Sequence, residues 1–267
     1  MAAMARAAQI EAANALAWVS WTTTAATAPL PAWLRGRGLD PAAIARAGHQ
    51  VGWAGSGWTD LTELLACHRV PASVALAAGL VRQARSGRRF DGFRGRVVLP
   101  VRDVVSGRVG GFVARRRDDR DTRAPKYLNS PGNAAFGKGD VLFGAWEARR
   151  RLIGDRDSVA GLVVCEGPFD VLNVAAAGAW VAVAPCGTAM TRSQAGWVTA
   201  LARAFEVPVL LAYDADAAGL VASDRAWDLL VDAGVPSLRL ADVPAGLDPG
   251  ELSTEQLHAA FDPAPRR

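Results

Sequence analysis

The stretch GLVVCEGPFDVLNVAAAGAWVAVAPCGT, residues 161–188, decides the fold. Two apolar runs, Gly161 to Cys165 and Trp180 to Ala184, flank a segment of helical length that opens on Pro168 and stops at Gly178. Near-continuous apolar strands joined by helices form parallel sheets covered on both faces. The alternation continues outward. Strand-like runs at 207–213 and 236–240 follow helix-like segments at 191–204 and 217–233, Thr191 with Gln194 forms a capping box, and Gly234 stands where a helix should end.

Toward the N-terminus the pattern changes. Residues 1–30 read as an Ala-rich helix with a Thr/Ala linker near residues 22–28 that is free to pack on a partner. Residues 31–80 read as a small helical segment, with starts at Asp40 before Pro41, at Asp60 with Glu63, and at Pro71 before Gly79. A Gly/Trp loop at 52–58 interrupts it, in which Trp53 and Trp58 are expected to act as packing anchors. Val97 to Val101 and Val109 to Ala114, joined through Ser106-Gly107, predict a β-hairpin with an Arg115 to Arg117 cluster at its exit. A polar loop from Thr122 to Asp140 follows, then a helix to about Arg151. The expected organisation is a helix and linker over 1–30, an α+β basic subdomain over 31–151, an α/β parallel-sheet domain over 152–260 and a tail over 261–267.

The 267 residues, 51% of them hydrophobic and 21% charged, supply a core and exclude a disordered or fibrous chain. Three cysteines, Cys67, Cys165 and Cys186, make no closed disulfide set, so a reducing cytoplasm is the expected location. Arg6, Glu11 and Asn14 interrupt the apolar N-terminus, and no membrane span is expected. The net charge of +4 is unevenly distributed. From Arg82 to Arg123 there are 13 arginines against 5 acids, and from Asp214 to Asp262 there are 10 acids against 2 arginines. Cations for phosphates and carboxylates for divalent ions are what an enzyme on nucleic acid uses; two solvated faces of opposite sign are the plain alternative.

In an open parallel sheet, ligands bind beyond the carboxyl ends of the strands. Those ends carry Glu166, the turn Cys186-Gly187-Thr188, Asp214 and Asp216, and downstream Asp248, while Asp170 lies one helical turn after Glu166. Two carboxylates about 4 Å apart repel by roughly 4 kcal/mol at an effective dielectric near 20. Such a cluster calls for bound cations or raised pKa values, and all-oxygen ligands favour Mg²⁺, then Mn²⁺. Taken singly, an acid such as Asp170 or Asp248 reads first as a helix cap or a surface carboxylate; jointly, at successive strand ends, the acids favour the metal reading.

These residues resemble a known family. Glu166-Gly-Pro-Phe-Asp170, Cys186-Gly-Thr188 and Asp214-Ala-Asp216-Ala-Ala-Gly219 look like the Toprim domain shared by bacterial primases, topoisomerases and some nucleases. Upstream, Phe93-Arg-Gly-Arg-Val-Val-Leu-Pro-Val-Arg-Asp103, Gly110-Gly-Phe112 with Arg115, Pro125-Lys-Tyr-Leu-Asn-Ser-Pro131 and Lys138-Gly139 are similar to the catalytic core of bacterial replicative primase. The resemblance runs from about Pro31 to Ala260. It implies a Toprim-like parallel sheet flanked by helices beside an N-terminal α+β basic subdomain, and DNA-templated synthesis of short RNA primers by metal-dependent nucleotidyl transfer.

By the same resemblance, Glu166, Asp170, Asp214, Asp216 and Asp248 would hold Mg²⁺ or Mn²⁺, with Glu166, Asp214 and Asp216 catalytic. Arg94, Arg96, Arg115, Lys126, Asn129 and Lys138 would bind nucleotide and nucleic acid, and Gly187 with Thr188 would form a phosphate turn. Lys126 and Lys138 are the only lysines among 30 basic residues, and both fall in one loop. The implied partners are a single-stranded DNA template and nucleoside triphosphates.

The chain departs from the family pattern in three respects. Gly250 stands where a second acid normally follows Asp248, with Glu251 beside it. No zinc spacing exists among His49, His68, His258 and the cysteines, so no zinc is expected. Only 16 residues follow Glu251, so the later helical subdomain and helicase-binding tail are expected to be missing or minimal. The expectation is a core of mobile-element or phage type that takes a zinc module or helicase from a partner chain. A Toprim nuclease acting on DNA and a non-catalytic single-stranded-DNA-binding module are the alternatives. A topoisomerase is disfavoured, because the only tyrosines are Tyr127 and Tyr213.

Overall fold

The computed structural model describes residues 2–121, 123–187 and 189–262. In chain order the elements are α1 (Ala2–Thr27), α2 (Leu30–Arg35), α3 (Pro41–Arg46), β1 (Gly52–Trp53), α4 (Asp60–Cys67), α5 (Ala72–Ala77), β2 (Val81–Gln83), β3 (Arg89–Asp91), β4 (Arg96–Arg102), β5 (Val109–Arg116), β6 (Tyr127–Asn129), β7 (Leu142–Phe143), α6 (Ala145–Gly154), β8 (Gly161–Cys165), α7 (Pro168–Ala176), β9 (Trp180–Pro185), α8 (Arg192–Phe205), β10 (Val209–Ala212), α9 (Ala217–Asp232), β11 (Leu238–Leu240) and α10 (Thr254–Phe261). They divide into two compact units: Met1–Trp33 with Gln50–Gly137, and Leu34–His49 with Lys138–Arg267. No described helix is long and apolar enough to cross a membrane.

The first unit is built on a four-stranded sheet of order β1-β4-β5-β6. Its centre is the expected hairpin, with Leu99 opposite Val113 and Pro100 opposite Phe112. Asp103 stabilises the turn by accepting from the Ser106 amide at 2.7 Å. Helix α1 belongs to this unit's core. Ile10, Ala13, Ala17, Trp18 and Trp21 are buried at helical spacing, and Trp21 meets Phe112 and Phe93 edge-on at 4.9 and 5.5 Å between ring centroids.

The expected linker at 22–28 is therefore corrected: α1 is helical to Thr27. The hydroxyls of Thr22, Thr23 and Thr24 donate to the carbonyls of Trp18, Val19 and Ser20, four residues back, so the threonines satisfy themselves inside the helix. Two further readings change. The loop at 52–58 contains β1, which pairs with β4. Trp53 is buried as expected, but Trp58 is 50% exposed, with the Arg94 guanidinium stacked 3.6 Å from its ring centroid. Helix α4 starts after Thr59, and its first amides, those of Leu61 and Thr62, are capped by Asp91 at 2.9 and 2.8 Å. A cap supplied from 30 residues away leaves no local signature.

The second unit carries the parallel sheet, of order β11-β10-β8-β9-β7. Strands β8, β9, β10 and β11 are parallel and coincide with the apolar runs to within two residues. Strand β7 adds an antiparallel edge, Leu142 opposite Pro185 and Phe143 opposite Ala184. That edge shifts the expected boundary from 151/152 to 137/138, because β7 and α6 both pack on β9. The carbonyls of Lys138 and Val141 are taken by Gln194 Nε2 at 2.9 and 2.8 Å. Residues 34–49 also belong to this unit, through α3 on α7, although they precede it by about a hundred residues. Of the tail, 263–267 lies outside the described residues.

Candidate metal centre

The chain passes from β8 to β9 on one side and then crosses to β10 on the other side of β8. The carboxyl ends of β8 and β10 therefore flank the topological switch point, where open α/β sheets bind their ligands. Glu166 follows β8 directly, and Asp214 follows β10 by two residues.

Each acid has a definite local support. Asp170 sits in the first turn of α7, and its Oδ2 accepts the Gly167 amide at 2.8 Å. Asp216 is the N-cap of α9 and accepts the Gly219 amide at 2.8 Å. Gly219 is required by close approach, since a Cβ there would stand 2.1 Å from the Asp214 carbonyl oxygen. The loops after β10 and β11 are laced together: the Ala215 amide donates to the Leu247 carbonyl at 3.1 Å and the Gly246 amide to the Ala215 carbonyl at 3.0 Å. This lacing brings Asp248 alongside Asp214.

The electrostatics shows that the acids share one field. Burial, then the charges of Asp248 and Asp214, push the Asp170 carboxyl well above the ordinary carboxylate range, and Glu166 adds to the effect. Glu166 is also raised, by burial first and by Asp216 and Asp248, against a lowering backbone hydrogen bond from Asp214. Such mutual repulsion is relieved by a bound cation or by protonation. Among the described residues no three His, Cys, Asp or Glu side chains are drawn into a ready-made cage. The donor set nevertheless consists wholly of carboxylate oxygens around a common edge, which fits a hard divalent ion. Asp170 and Asp216 also serve as helix caps, so the plain reading and the functional one hold for the same side chains.

Asn173 was not singled out in the sequence. It lies one turn after Asp170 on α7, is buried, and donates both Nδ2 hydrogens, to the carbonyls of Pro249 at 2.9 Å and Leu252 at 2.8 Å. An asparagine inside an apolar helical run, where unpaired polar groups are costly, is the one signal that could have pointed to it.

The expected cationic residues fall in both units. Lys138 lies in the second unit, and its positive charge acts on Cys186, whose thiol burial pushes up to about 12. Gly187, with φ +78°, turns the chain after β9; Thr188 lies outside the described residues. Arg94, Arg96, Arg115, Lys126 and Asn129 lie in the first unit. Arg96 is buried, and its guanidinium donates to the Pro125 carbonyl at 2.9 Å and the Lys126 carbonyl at 3.4 Å, which makes it a brace for that loop. Arg115 pairs with Asp119 at 3.1 Å and donates to the Tyr127 hydroxyl at 3.3 Å. Lys126 is exposed, and Asn129 sits in β6 opposite Val113.

Known proteins match both units. The family described as DNA primase catalytic core, N-terminal domain, matches residues 20–149, and the Toprim-like family matches residues 163–253. A DNA primase of Deinococcus radiodurans is 40% identical over 220 residues, 82% of this chain and 36% of the relative. A Synechococcus elongatus DNA primase is also 40% identical, over 219 residues, with 30% of its length covered, so the chain spans about a third of these curated relatives. Among solved structures, the RNA polymerase domain of Mycobacterium tuberculosis primase DnaG superposes with a TM-score of 0.78 at 32% identity, covering 95% of this chain and 81% of that one. A DnaG primase catalytic domain bound to single-stranded DNA superposes with a TM-score of 0.81 at 29% identity, covering 97% of this chain and 81% of that one. With both units accounted for and the acids on the Toprim sheet edge, the chain belongs to the catalytic-core family of the bacterial DnaG-type DNA primases.

Proposed function

We propose that this protein synthesises short RNA primers on a single-stranded DNA template, joining nucleoside triphosphates by metal-dependent nucleotidyl transfer in the cytoplasm. The observation that carries the reading is the shared field of Glu166, Asp170, Asp214 and Asp248 at the switch point of a Toprim sheet. Glu166, Asp170, Asp214, Asp216 and Asp248 would hold Mg²⁺ or Mn²⁺, which supplies charge neutralisation at the triphosphate and its leaving pyrophosphate. In the transfer the primer 3′-oxygen bonds to the α-phosphorus and the bond to pyrophosphate breaks. Glu166, exposed and with its carboxyl raised, is suited to accept the 3′-hydroxyl proton. Lys126 and Lys138 offer compact ammonium charges to phosphates, with Arg94, Arg115 and Asn129 along the basic face of the first unit; Arg96 supports that face from within. Gly187 and Thr188 are proposed as a phosphate-binding turn.

The test is nucleotide incorporation on single-stranded DNA with Mg²⁺ or Mn²⁺. Wild type is expected to yield metal-dependent oligomers, and Asp214→Asn with Asp216→Asn to lose at least about a hundredfold in rate, since removing a group that stabilises transition-state charge costs 10²–10³. Metal-dependent nicking of DNA without incorporation would replace this reading with a nuclease. DNA binding that survives the double substitution, with no turnover in wild type, would replace it with a binding module.

A further inference from the structure

We propose that Asn173 is the positioning residue of the cation site, fixing Asp248 by pinning the turn that carries it onto α7, and that Gly250 is what lets this turn close. The inference rests on the metal-dependent reading above and assigns a role within it.

The turn after Asp248 is closed by its own hydrogen bond, Glu251 amide to Asp248 carbonyl at 3.1 Å. Nothing in that bond holds the turn against the rest of the site. The loop leading into the turn is laced to Ala215, and the turn itself is attached by Asn173, whose carboxamide donates to the carbonyls of Pro249 at 2.9 Å and Leu252 at 2.8 Å. Asn173 and Asp170 are three residues apart on α7 and so share a face. The helix that holds one acid by its first turn thus holds the loop of another by its second. Pro249 and Leu252 are themselves buried, so loss of the carboxamide would leave their two carbonyls without their donor away from water.

Gly250 completes the device. A Cβ there would stand 2.5 Å from Asp170 Oδ1 and 3.0 Å from Asp248 Oδ1, with the Asp170 Cα at 3.5 Å. The backbone of the turn therefore lies directly on the Asp170 carboxylate. A side chain at this position has to share that space with the Asp170 carboxylate, which must move aside to admit its Cβ. This chain has its acids arranged around a glycine, and the amide of Asn173 holds that arrangement shut.

The experiment measures Mn²⁺ affinity of the full chain by electron paramagnetic resonance of the free ion, with thermal melting of each variant as a check on folding. Asn173→Ala is expected to weaken Mn²⁺ binding about tenfold, the lower end of what residues behind metal ligands contribute. Asn173→Ser, which keeps one donor, is expected to fall between it and wild type. In an Asp248→Ala background the Asn173→Ala effect is expected to shrink below about twofold, and in an Asp214→Ala background to persist, because the carboxamide acts through Asp248. Gly250→Ala, whose Cβ would crowd the Asp170 carboxylate, is expected to weaken Mn²⁺ binding. Unchanged affinity in folded Asn173→Ala or Asn173→Ser, an effect undiminished without Asp248, or unchanged affinity in folded Gly250→Ala would each overturn the assignment while leaving the metal reading intact. Wild type that binds no Mn²⁺ would remove the metal reading and the positioning role together.

Discussion

His49 is a titratable group enclosed by the second unit, with its ring 5.8 Å from that of Phe143, and burial lowers its pKa from 6.5 to about 4. The fold holds it neutral, whereas the unfolded chain takes up a proton below pH 6.5. Its contribution to stability is thus complete above pH 6.5 and is lost as pH falls toward 4, amounting to about 3 kcal/mol over the window. Urea unfolding as a function of pH should show that loss, and His49→Phe should flatten it. Asp170 has the opposite sign. Its raised carboxyl favours the protonated form in the fold, so stability is present below the usual carboxylate range and lost as pH rises through the raised value. In metal-free buffer at neutral pH, Asp170→Asn should therefore raise the melting temperature, the amide oxygen still accepting from Gly167. The same variant should lose the further rise that Mg²⁺ gives wild type, which at a hundred times the dissociation constant is about 2.7 kcal/mol.

At the scale of elements, α1 shows how a weakly patterned helix becomes structural. Its polar positions are few and its threonines cluster at the end, yet one face sets Trp18 and Trp21 against Phe112 and Phe93. Trp21→Ala should cost about 3–5 kcal/mol in denaturant unfolding, the range for truncating a buried aromatic. Asn14, buried on the same helix, donates to the carbonyls of Val109 and Gly110 at 3.1 and 2.8 Å and ties α1 to β5. The hairpin β4–β5 and the strands β8 to β10 were legible because each is an apolar run bounded by turn residues. Strands β1 and β7 were not, since two residues carry no period and each exists only through its partner strand. The Asp91 cap on α4 was illegible for a related reason: its donors and acceptor meet only after β3 has formed.

Across the whole molecule the charges separate by unit, with the arginine-rich segment in one and the acid-rich segment in the other. Exposure divides the basic residues by role. Lys126→Ala should leave the melting temperature unchanged and reduce the salt slope of single-stranded-DNA binding by about 0.7, the value for one phosphate contact on a single strand. Arg96→Ala should instead lower stability by about 1–3 kcal/mol, because the Pro125 carbonyl loses its donor and the Lys126 carbonyl keeps only the Arg116 amide. Fluorescence anisotropy over a salt series, beside thermal melts, separates the two. The sequence by itself determined the β/α alternation, the hairpin and the placing of Glu166, Asp214 and Asp216 at strand ends, because strand burial and helix capping are written in local periodicity. Only the tertiary structure decided that Arg96 turns inward, that residues 34–49 join the second unit, and that Asn173 and Gly250 hold the Asp248 turn on Asp170. Those depend on contacts between residues some thirty to more than a hundred positions apart, and no local pattern of side chains specifies which distant carbonyl a buried donor will meet.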